Sequence, residues 1–128
     1  MKHLLITTIA AVVLVGCSRA EANRALFDAI HEESIQAVEQ AITKNGRHTL
    51  ADINARDESK RTPLLCAIEK NHKEIAELLI DKGADVNATN KKGFTPLDVA
   101  IGLEQPEIIN LLRKHGGKTR KELRDARK

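Results

Sequence analysis

The 128-residue chain has almost no aromatic side chains: it contains neither Trp nor Tyr, and its only phenylalanines are Phe27 and Phe94. The core must therefore be built from Leu, Ile, Val and Ala. Because strands usually depend on aromatic and β-branched residues, this shortage favours packed helices. The length is that of one domain.

Cysteine is also scarce, since only Cys17 and Cys66 are present. Two cysteines exclude a disulfide framework and a cysteine-based metal cluster. We expect Cys66 to be a small buried apolar residue and not a reactive thiol.

Neither sign of charge dominates the chain. The formal net charge of +3 is small and scattered, so no nucleic-acid partner is predicted. Residues 118–128 hold six basic and two acidic side chains. This end is interpreted as a solvated helical cap, with contact to anionic lipid as the alternative.

Long apolar runs are limited to the first residues of the chain. Lys2 and His3 give a basic start, and the run from Leu4 to Val15 is uncharged. A helix needs about 20 apolar residues to cross a bilayer. This shorter run fits the apolar region of a secretory signal peptide. A buried helix of a cytosolic domain is the alternative.

The apolar run ends at Leu14-Val15-Gly16-Cys17, which resembles the lipobox of bacterial lipoproteins. In that family the matching cysteine receives a diacylglyceryl group, and the leader is cut before it. The resemblance implies that residues 1–16 are a cleaved signal peptide and that Cys17 carries lipid. Ser18 stands where Asp tends to retain enteric-type lipoproteins in the inner membrane, so the outer membrane, facing the periplasm, is implied. Ordinary secretion with a free Cys17 is the alternative.

Residues 17–22 are expected to form the lipidated N-terminus and a short linker. The five residues 18–22, if extended, reach roughly 17 Å. The folded part, from residue 23, is therefore expected to sit close to the bilayer, together with its partner.

One fixed period organises the rest of the chain. Thr62-Pro63-Leu64 recurs as Thr95-Pro96-Leu97, and Gly83 recurs as Gly116. Thr can cap a helix whose first residue is Pro, and Gly ends a helix in the left-handed conformation. Such a period, of about 33 residues, indicates a solenoid of helical repeats. A more degenerate copy precedes these two, with five additional residues expected within 46–51.

The segment 62–88 resembles an ankyrin repeat, and 95–116 does so nearly as well. The resemblance implies an all-α solenoid of about three helix-turn-helix repeats, 23–56, 57–89 and 90–118, with short β-hairpin loops. A capping box from Thr119 to Glu122 predicts a C-terminal capping helix within 119–128.

The chain departs from the family pattern at two kinds of position. Between the two helices of a repeat the family usually has Gly, whereas this chain has Glu33, Asn71 and Glu104. Asn tolerates positive φ, but the two glutamate turns are expected to be strained or differently shaped. After Thr-Pro-Leu the family usually has His, whereas Leu65 and Asp98 stand here. The hydrogen bonds that the family makes there are therefore not predicted for this chain.

The residue patterns of catalysis are missing from the sequence. We find no glycine-rich phosphate loop and no nucleophile elbow. The histidines after the leader, which are His31, His48, His72 and His115, have no metal-ligand spacing. Asp28, Asp98 and Glu104 are interpreted as isolated solvated acids. No catalytic residue, metal or cofactor is predicted, and the chain is not expected to be an enzyme.

The resemblance implies a concave binding face made of hairpin tips and the exposed side of each first helix. The matching residues are Glu58, Ser59, Arg61, Glu69 and Lys70 in one repeat, and Lys91, Lys92, Phe94, Gly102 and Leu103 in the next. Phe94 is either an exposed aromatic hot spot or a side chain packed on its own hairpin.

The sequence therefore predicts a non-catalytic protein–protein interaction module, anchored by lipid in a bacterial envelope. Its partner is expected to be an unidentified, membrane-proximal protein, and the chain itself a monomer. The alternative is a dedicated regulator, stabiliser or immunity-like inhibitor of an envelope enzyme.

Overall fold

The computed structural model describes residues 19–42 and 51–128. Within these two ranges the chain forms helices and no strand. The helices are α1 (Arg19–His31), α2 (Ile35–Ile42), α3 (Pro63–Glu69), α4 (Lys73–Asp81), α5 (Pro96–Gly102), α6 (Pro106–Lys114) and α7 (Arg120–Asp125). None of these helices combines the length and the apolar composition that a bilayer-spanning helix needs. Cys17, and all of the predicted insertion except Ala51, lie outside the described residues.

The helices keep the register that the sequence repeat predicts. Helix α5 begins and ends at the positions that match the bounds of α3, and α6 matches α4 in the same way. Helix α1 ends at His31, which matches the last residue of α3, Glu69. The first helices of the three pairs stack on one another, as do the second helices. The result is a two-layer, all-helical solenoid of three helix pairs with a C-terminal helix, which confirms the predicted fold class.

The first helices of the second and third repeats begin as their sequence predicts. The hydroxyl oxygens of Thr62 and Thr95 accept the backbone N–H three residues later, each at 3.2 Å, and a proline fills the first helical position. Both threonines are buried. At the other end of each repeat, Gly83 and Gly116 have φ of +100° and +84°. These glycines end the second helices in the left-handed conformation.

The core is aliphatic, as the shortage of aromatic residues requires. Helix α3 lies between two other first helices, and its residues 63–68 are all buried. Its neighbours contribute Leu26, Ile30 and Leu97, which are fully buried. Burial of each such side chain contributes about 1.5–3 kcal/mol relative to exposure.

The first helix begins earlier than predicted. Residues 19–22 were expected to be an extended linker, but they form the first turn of α1. Ala22 is only 1% exposed and lies one turn before Leu26, on the buried face of the helix. Because Ala is small and common on both faces of helices, it did not reveal this periodicity. The prediction of an extended linker over residues 19–22 is wrong.

The three turns inside the repeats share one backbone shape. Glu33, Asn71 and Glu104 have φ of 56°, 58° and 55°. In each case the next backbone N–H donates to the carbonyl of a buried alanine five residues earlier, at 2.9 to 3.1 Å. The alternative that the glutamate turns are differently shaped is therefore wrong. The glutamates adopt the conformation that suits Gly or Asn.

Replacement of Glu104 by Gly is expected to stabilise the fold. The left-handed conformation costs a residue with Cβ about 1–2 kcal/mol, whereas the greater chain entropy of Gly costs about 0.5–1 kcal/mol. Glu104→Gly should therefore raise the free energy of unfolding by about 0.5–1 kcal/mol, measured by urea denaturation. The matched control is Glu77→Gly in the middle of α4, which should lower stability by about 1 kcal/mol. Equal losses in both variants would contradict the assignment of strain to Glu104.

Candidate protein-binding face

Two loops project from the helices as short hairpins. In the loop before α5, Asn90 N donates to the Phe94 carbonyl and Gly93 N donates to the Asn90 carbonyl, both at 2.9 Å. The Asn90 side-chain oxygen also accepts the N–H groups of Lys92 and Phe94. Asp57 makes the matching hydrogen bonds in the loop before α3. The expected hairpin loops are therefore present as tight turns, without a strand in the described part of the chain.

Three asparagine side chains fasten the loops, because the amide oxygen of each accepts a backbone N–H: Asn23, in α1, holds the loop after α2, and Asn54 and Asn87 each hold the loop of the next repeat. We call these three bonds the asparagine ladder: Asn23 to Asp52 N at 2.7 Å, Asn54 to Asp85 N at 2.8 Å, and Asn87 to Lys118 N at 2.8 Å. The recurrence of Asn54 as Asn87 in the next repeat was visible in the sequence, but its role was not. The ladder sets the spacing of the loops that carry the predicted binding residues.

The predicted residues of the second repeat form a charged cluster. Arg61 contacts Asp57 at 2.9 Å and Glu69 at 2.7 Å. The hydrogen bonds that the Arg61 guanidinium donates, chiefly to Glu69 and also to Asp57, raise its pKa above its ordinary value. Arg61 thereby ties the base of the hairpin to the end of α3. Glu58, Ser59 and Lys70 are exposed beside this cluster, whereas Arg61 is half-buried.

The matching surface of the third repeat is apolar. Phe94, Gly102 and Leu103 stand at the positions of Arg61, Glu69 and Lys70. Phe94 is 42% exposed and Leu103 is 49% exposed. Lys91 and Lys92 are exposed at the tip of the same hairpin. All ten predicted residues therefore reach the surface, and the face changes from charged to apolar along the solenoid.

Phe94 is neither fully exposed nor packed only on its own hairpin. Its ring is partly exposed, and the Arg120 guanidinium lies 5.9 Å from the ring centroid. This distance is within the range of a cation–π contact. Arg120 belongs to α7, so the ring contacts the C-terminal helix as well as the solvent.

The expectation that each first helix has an exposed side needs correction. In the second repeat the helix has no exposed side: residues 63–68 are buried, and only its end at Glu69 and Lys70 is exposed. This follows because α3 is packed between repeats on both sides. The binding face of that repeat is therefore made of its hairpin and its helix end.

Asp98 was interpreted as a solvated acid, and this interpretation is wrong. It is half-buried, and one of its carboxylate oxygens accepts the N–H of Thr95 at 3.0 Å and that of Arg120 at 2.9 Å. The first bond completes a capping box at the start of α5. The second satisfies an N–H at the start of α7, which no helical carbonyl can reach. The capping box could have been predicted from the sequence, because an acid stands three residues after the cap Thr95. Nothing in the sequence indicated the contact with α7.

The chemically reactive side chains are engaged in packing. Cys66 is fully buried, as predicted, with its sulfur 3.9 Å from His31 Nε2. Burial raises the pKa of the Cys66 thiol, which disfavours the reactive thiolate. His72 Nδ1 lies 3.2 Å from a Glu33 carboxylate oxygen, and so joins two neighbouring turns. Among the described residues, no three His, Cys, Asp or Glu side chains come together as metal ligands.

An open groove lies between the turns of the second and third repeats, next to the helix ends at Glu69 and Leu103. Its volume is about 470 Å³, and Leu103 and Gln105 are among its lining residues. The Gln105 amide nitrogen donates to the Ile68 carbonyl at 2.8 Å, and its oxygen is buried with no hydrogen-bond partner among the residues that the structure describes. Lys73 and Glu107 form an ion pair at 3.3 Å, also between these two repeats. The groove thus marks the seam between two repeats.

Comparison with known proteins agrees with this architecture. A family model described as "Ankyrin repeats (3 copies)" matches residues 13–124. The match begins inside the predicted signal peptide and ends within α7. No curated protein matches the chain.

Removal of one rung of the asparagine ladder is expected to destabilise the protein. Asn54→Ala leaves the Asp85 N–H without its acceptor, which should cost about 1 kcal/mol in urea denaturation. Amide exchange at Asp85 should accelerate at the same time. The matched control is Asn110→Ala on the exposed side of α6, which should be neutral or slightly stabilising because Ala favours helix. Unchanged exchange at Asp85 would show that the rung has no structural role.

Proposed function

The chain belongs to the ankyrin-repeat family, and we propose that it is a non-catalytic protein-interaction module held by lipid in a bacterial envelope. Ankyrin repeats are protein–protein interaction modules and are generally not catalytic. The further steps of the proposal concern the partner, the anchor and the location.

The observation that carries the binding proposal is the pairing of exposed apolar and charged surfaces on one rigid face. Phe94 and Leu103 are exposed at the third repeat, next to the Arg61–Glu69 pair of the second. An aromatic residue fixed at an edge is a common centre of binding energy. The partner should therefore place an apolar side chain opposite the third repeat and charged groups opposite the second.

The anchoring proposal rests on the sequence Leu14-Val15-Gly16-Cys17. The early start of α1 supports the expectation that the domain lies close to the bilayer. Because α1 begins at Arg19, only Ser18 separates it from Cys17. Two residues span about 7 Å at most, so a lipid on Cys17 would hold the domain against the bilayer. The remaining first helices begin directly after their hairpins. The start of α1 therefore lies on the hairpin side, which favours a membrane-proximal partner.

The residue after Cys17 supports a finer proposal for the location. We place the protein at the outer membrane, facing the periplasm, because Ser18 stands where the retention signal for the inner membrane would carry Asp. The partner in this location is a protein and not a nucleic acid.

Loss of the Cys17 thiol is expected to release the protein from membranes. In a bacterium with lipoprotein processing, Cys17→Ser should abolish the incorporation of radiolabelled palmitate. It should also move the protein from the detergent-rich to the aqueous phase in cloud-point extraction. The control is Cys66→Ala, which keeps Cys17 and should incorporate as much palmitate as the natural sequence. Equal labelling of both variants would refute lipidation at Cys17.

Replacement of Phe94 is expected to reduce partner capture strongly while the fold is retained. A photo-crosslinking amino acid at Lys91 should capture a protein in intact cells, and Phe94→Ala should lower the yield by roughly 10-fold or more, as for a hot spot. The same crosslinker at Glu77, on the exposed side of α4, is the control and should capture little. Circular dichroism must show unchanged folding.

The same experiment can contradict the binding role of Phe94. A lower melting temperature with an unchanged crosslinking yield would assign Phe94 to packing alone. If the captured protein is an envelope enzyme whose activity changes on binding, the module is the dedicated regulator of that enzyme.

A further inference from the structure

The two ends of the solenoid expose different surfaces. Ile68 of α3 and Ile101 of α5 occupy the same position in successive repeats. Ile68 is completely buried, whereas Ile101 is 45% exposed. The third repeat thus presents, on its outer side, a side chain that the second repeat buries. We call this surface, formed by the uncovered side of α5 around Ile101, the exit face.

Helix α7 does not cover the exit face. In the register of the repeat, its residues Arg120–Asp125 match loop residues 87–92, and so it takes the place of a loop and not of a first helix. It is held at the loop side by the bond from Arg120 N to Asp98 and by the ion pair of Arg113 with Glu122 at 2.9 Å. None of its residues is buried. No helix of the described residues therefore occupies the position where another first helix would stack on α5.

The opposite end of the solenoid is a charged helix surface. Asp28 of α1 matches Cys66 of α3, and Cys66 lies against His31 of the preceding repeat. Asp28 therefore points to where a preceding repeat would lie, and it is exposed, as is Glu32 one turn later. We call this side of α1, around Asp28 and Glu32, the entry face.

The two ends have opposite charge. Residues 19–42 contain five acidic and two basic side chains, whereas residues 113–128 contain eight basic and two acidic ones. Opposite charges on two surfaces steer them together and fix their orientation. Contacts between two entry ends, or between two exit ends, are disfavoured by the same charges.

The exposed apolar residues at the two ends would also meet if one copy stacked on another. Ile35, at the start of α2, is 36% exposed. Within the solenoid, the starts of the second helices of adjacent repeats are neighbours, since Lys73 pairs with Glu107. If a second copy continued the repeat, its Ile35 would lie beside Pro106 of the first copy, while its α1 covered Ile101.

We propose that the exit face binds the entry face of a second copy of the chain, so that copies stack head to tail and continue the solenoid. This departs from the expectation of a monomer. Because the two surfaces differ, the contact does not close on itself and generates an open row. Copies related in this way keep the starts of α1 on one side, so a row is compatible with the proposed anchor but does not depend on it.

Sedimentation of the full-length chain in a density-matched detergent tests the proposal. From micromolar to near-millimolar concentration, the average mass should rise without stopping at a dimer. Added salt should reduce the mass, because the attraction between exposed charges is screened. A mass that remains monomeric throughout, or that stops at a dimer, would overturn the proposal.

Two variants with opposite defects make the test specific. Ile101→Arg blocks the exit face and Asp28→Lys blocks the entry face, and each should weaken association roughly 10-fold or more, a change of about 1.4 kcal/mol in binding free energy. In a mixture, the intact exit face of Asp28→Lys should bind the intact entry face of Ile101→Arg and give a heterodimer that grows no further. Glu77→Lys, a similar charge change on the central repeat, should leave the association unchanged. Circular dichroism must show that all variants are folded.

The same variants identify the alternatives. If Asp28→Lys associates as strongly as the natural chain, the entry face is not part of the contact and the proposal fails. It also fails if the mixture of blocked variants remains monomeric. Finally, binding of the monomeric natural chain to vesicles of anionic phospholipid, lost in Ile101→Arg, would assign the exit face to a lipid surface instead of a second copy.

Discussion

The shortness of the helices is the constraint on which this structure depends. Helices α3 to α6 have seven or nine residues, and isolated helices of that length are unstable in water. Each pair exists because its neighbours cover it. Leu64 and Leu97 are buried between first helices for this reason, and the asparagine ladder holds the loops at the same spacing. Three repeats are close to the smallest number for which such mutual support is sufficient.

Much of the fold follows from local sequence because the repeat imposes the same requirements at a fixed interval. Thr62 and Thr95 are helix caps in the sequence and in the structure, and Gly83 and Gly116 take the left-handed conformation expected of them. The turn at Glu104 was harder to predict. Glutamate disfavours positive φ, but the neighbouring repeat fixes the turn. Tertiary packing here outweighs the local preference of the residue.

The candidate site was predictable in position but not in character. The matching of repeats identified Arg61 and Phe94 as surface residues. It did not show that Arg61 is held by two acids or that Phe94 contacts Arg120. Such contacts join residues far apart in sequence. Asp98 was misjudged for the same reason, since its partner at the start of α7 lies 22 residues away.

In so short a solenoid, the binding face and the exit face share one helix. Leu103 follows the last residue of α5 and lies on the binding face, while Ile101 lies two residues before it on the exit face. If a second copy stacks there, its His31 and Glu32 take the positions next to Leu103, because they match Glu69 and Lys70 of the second repeat. The apolar surface of the third repeat would then lie between two polar repeats. Stacking would thus convert an apolar edge into an apolar centre with a polar rim, which is the arrangement that binding surfaces favour.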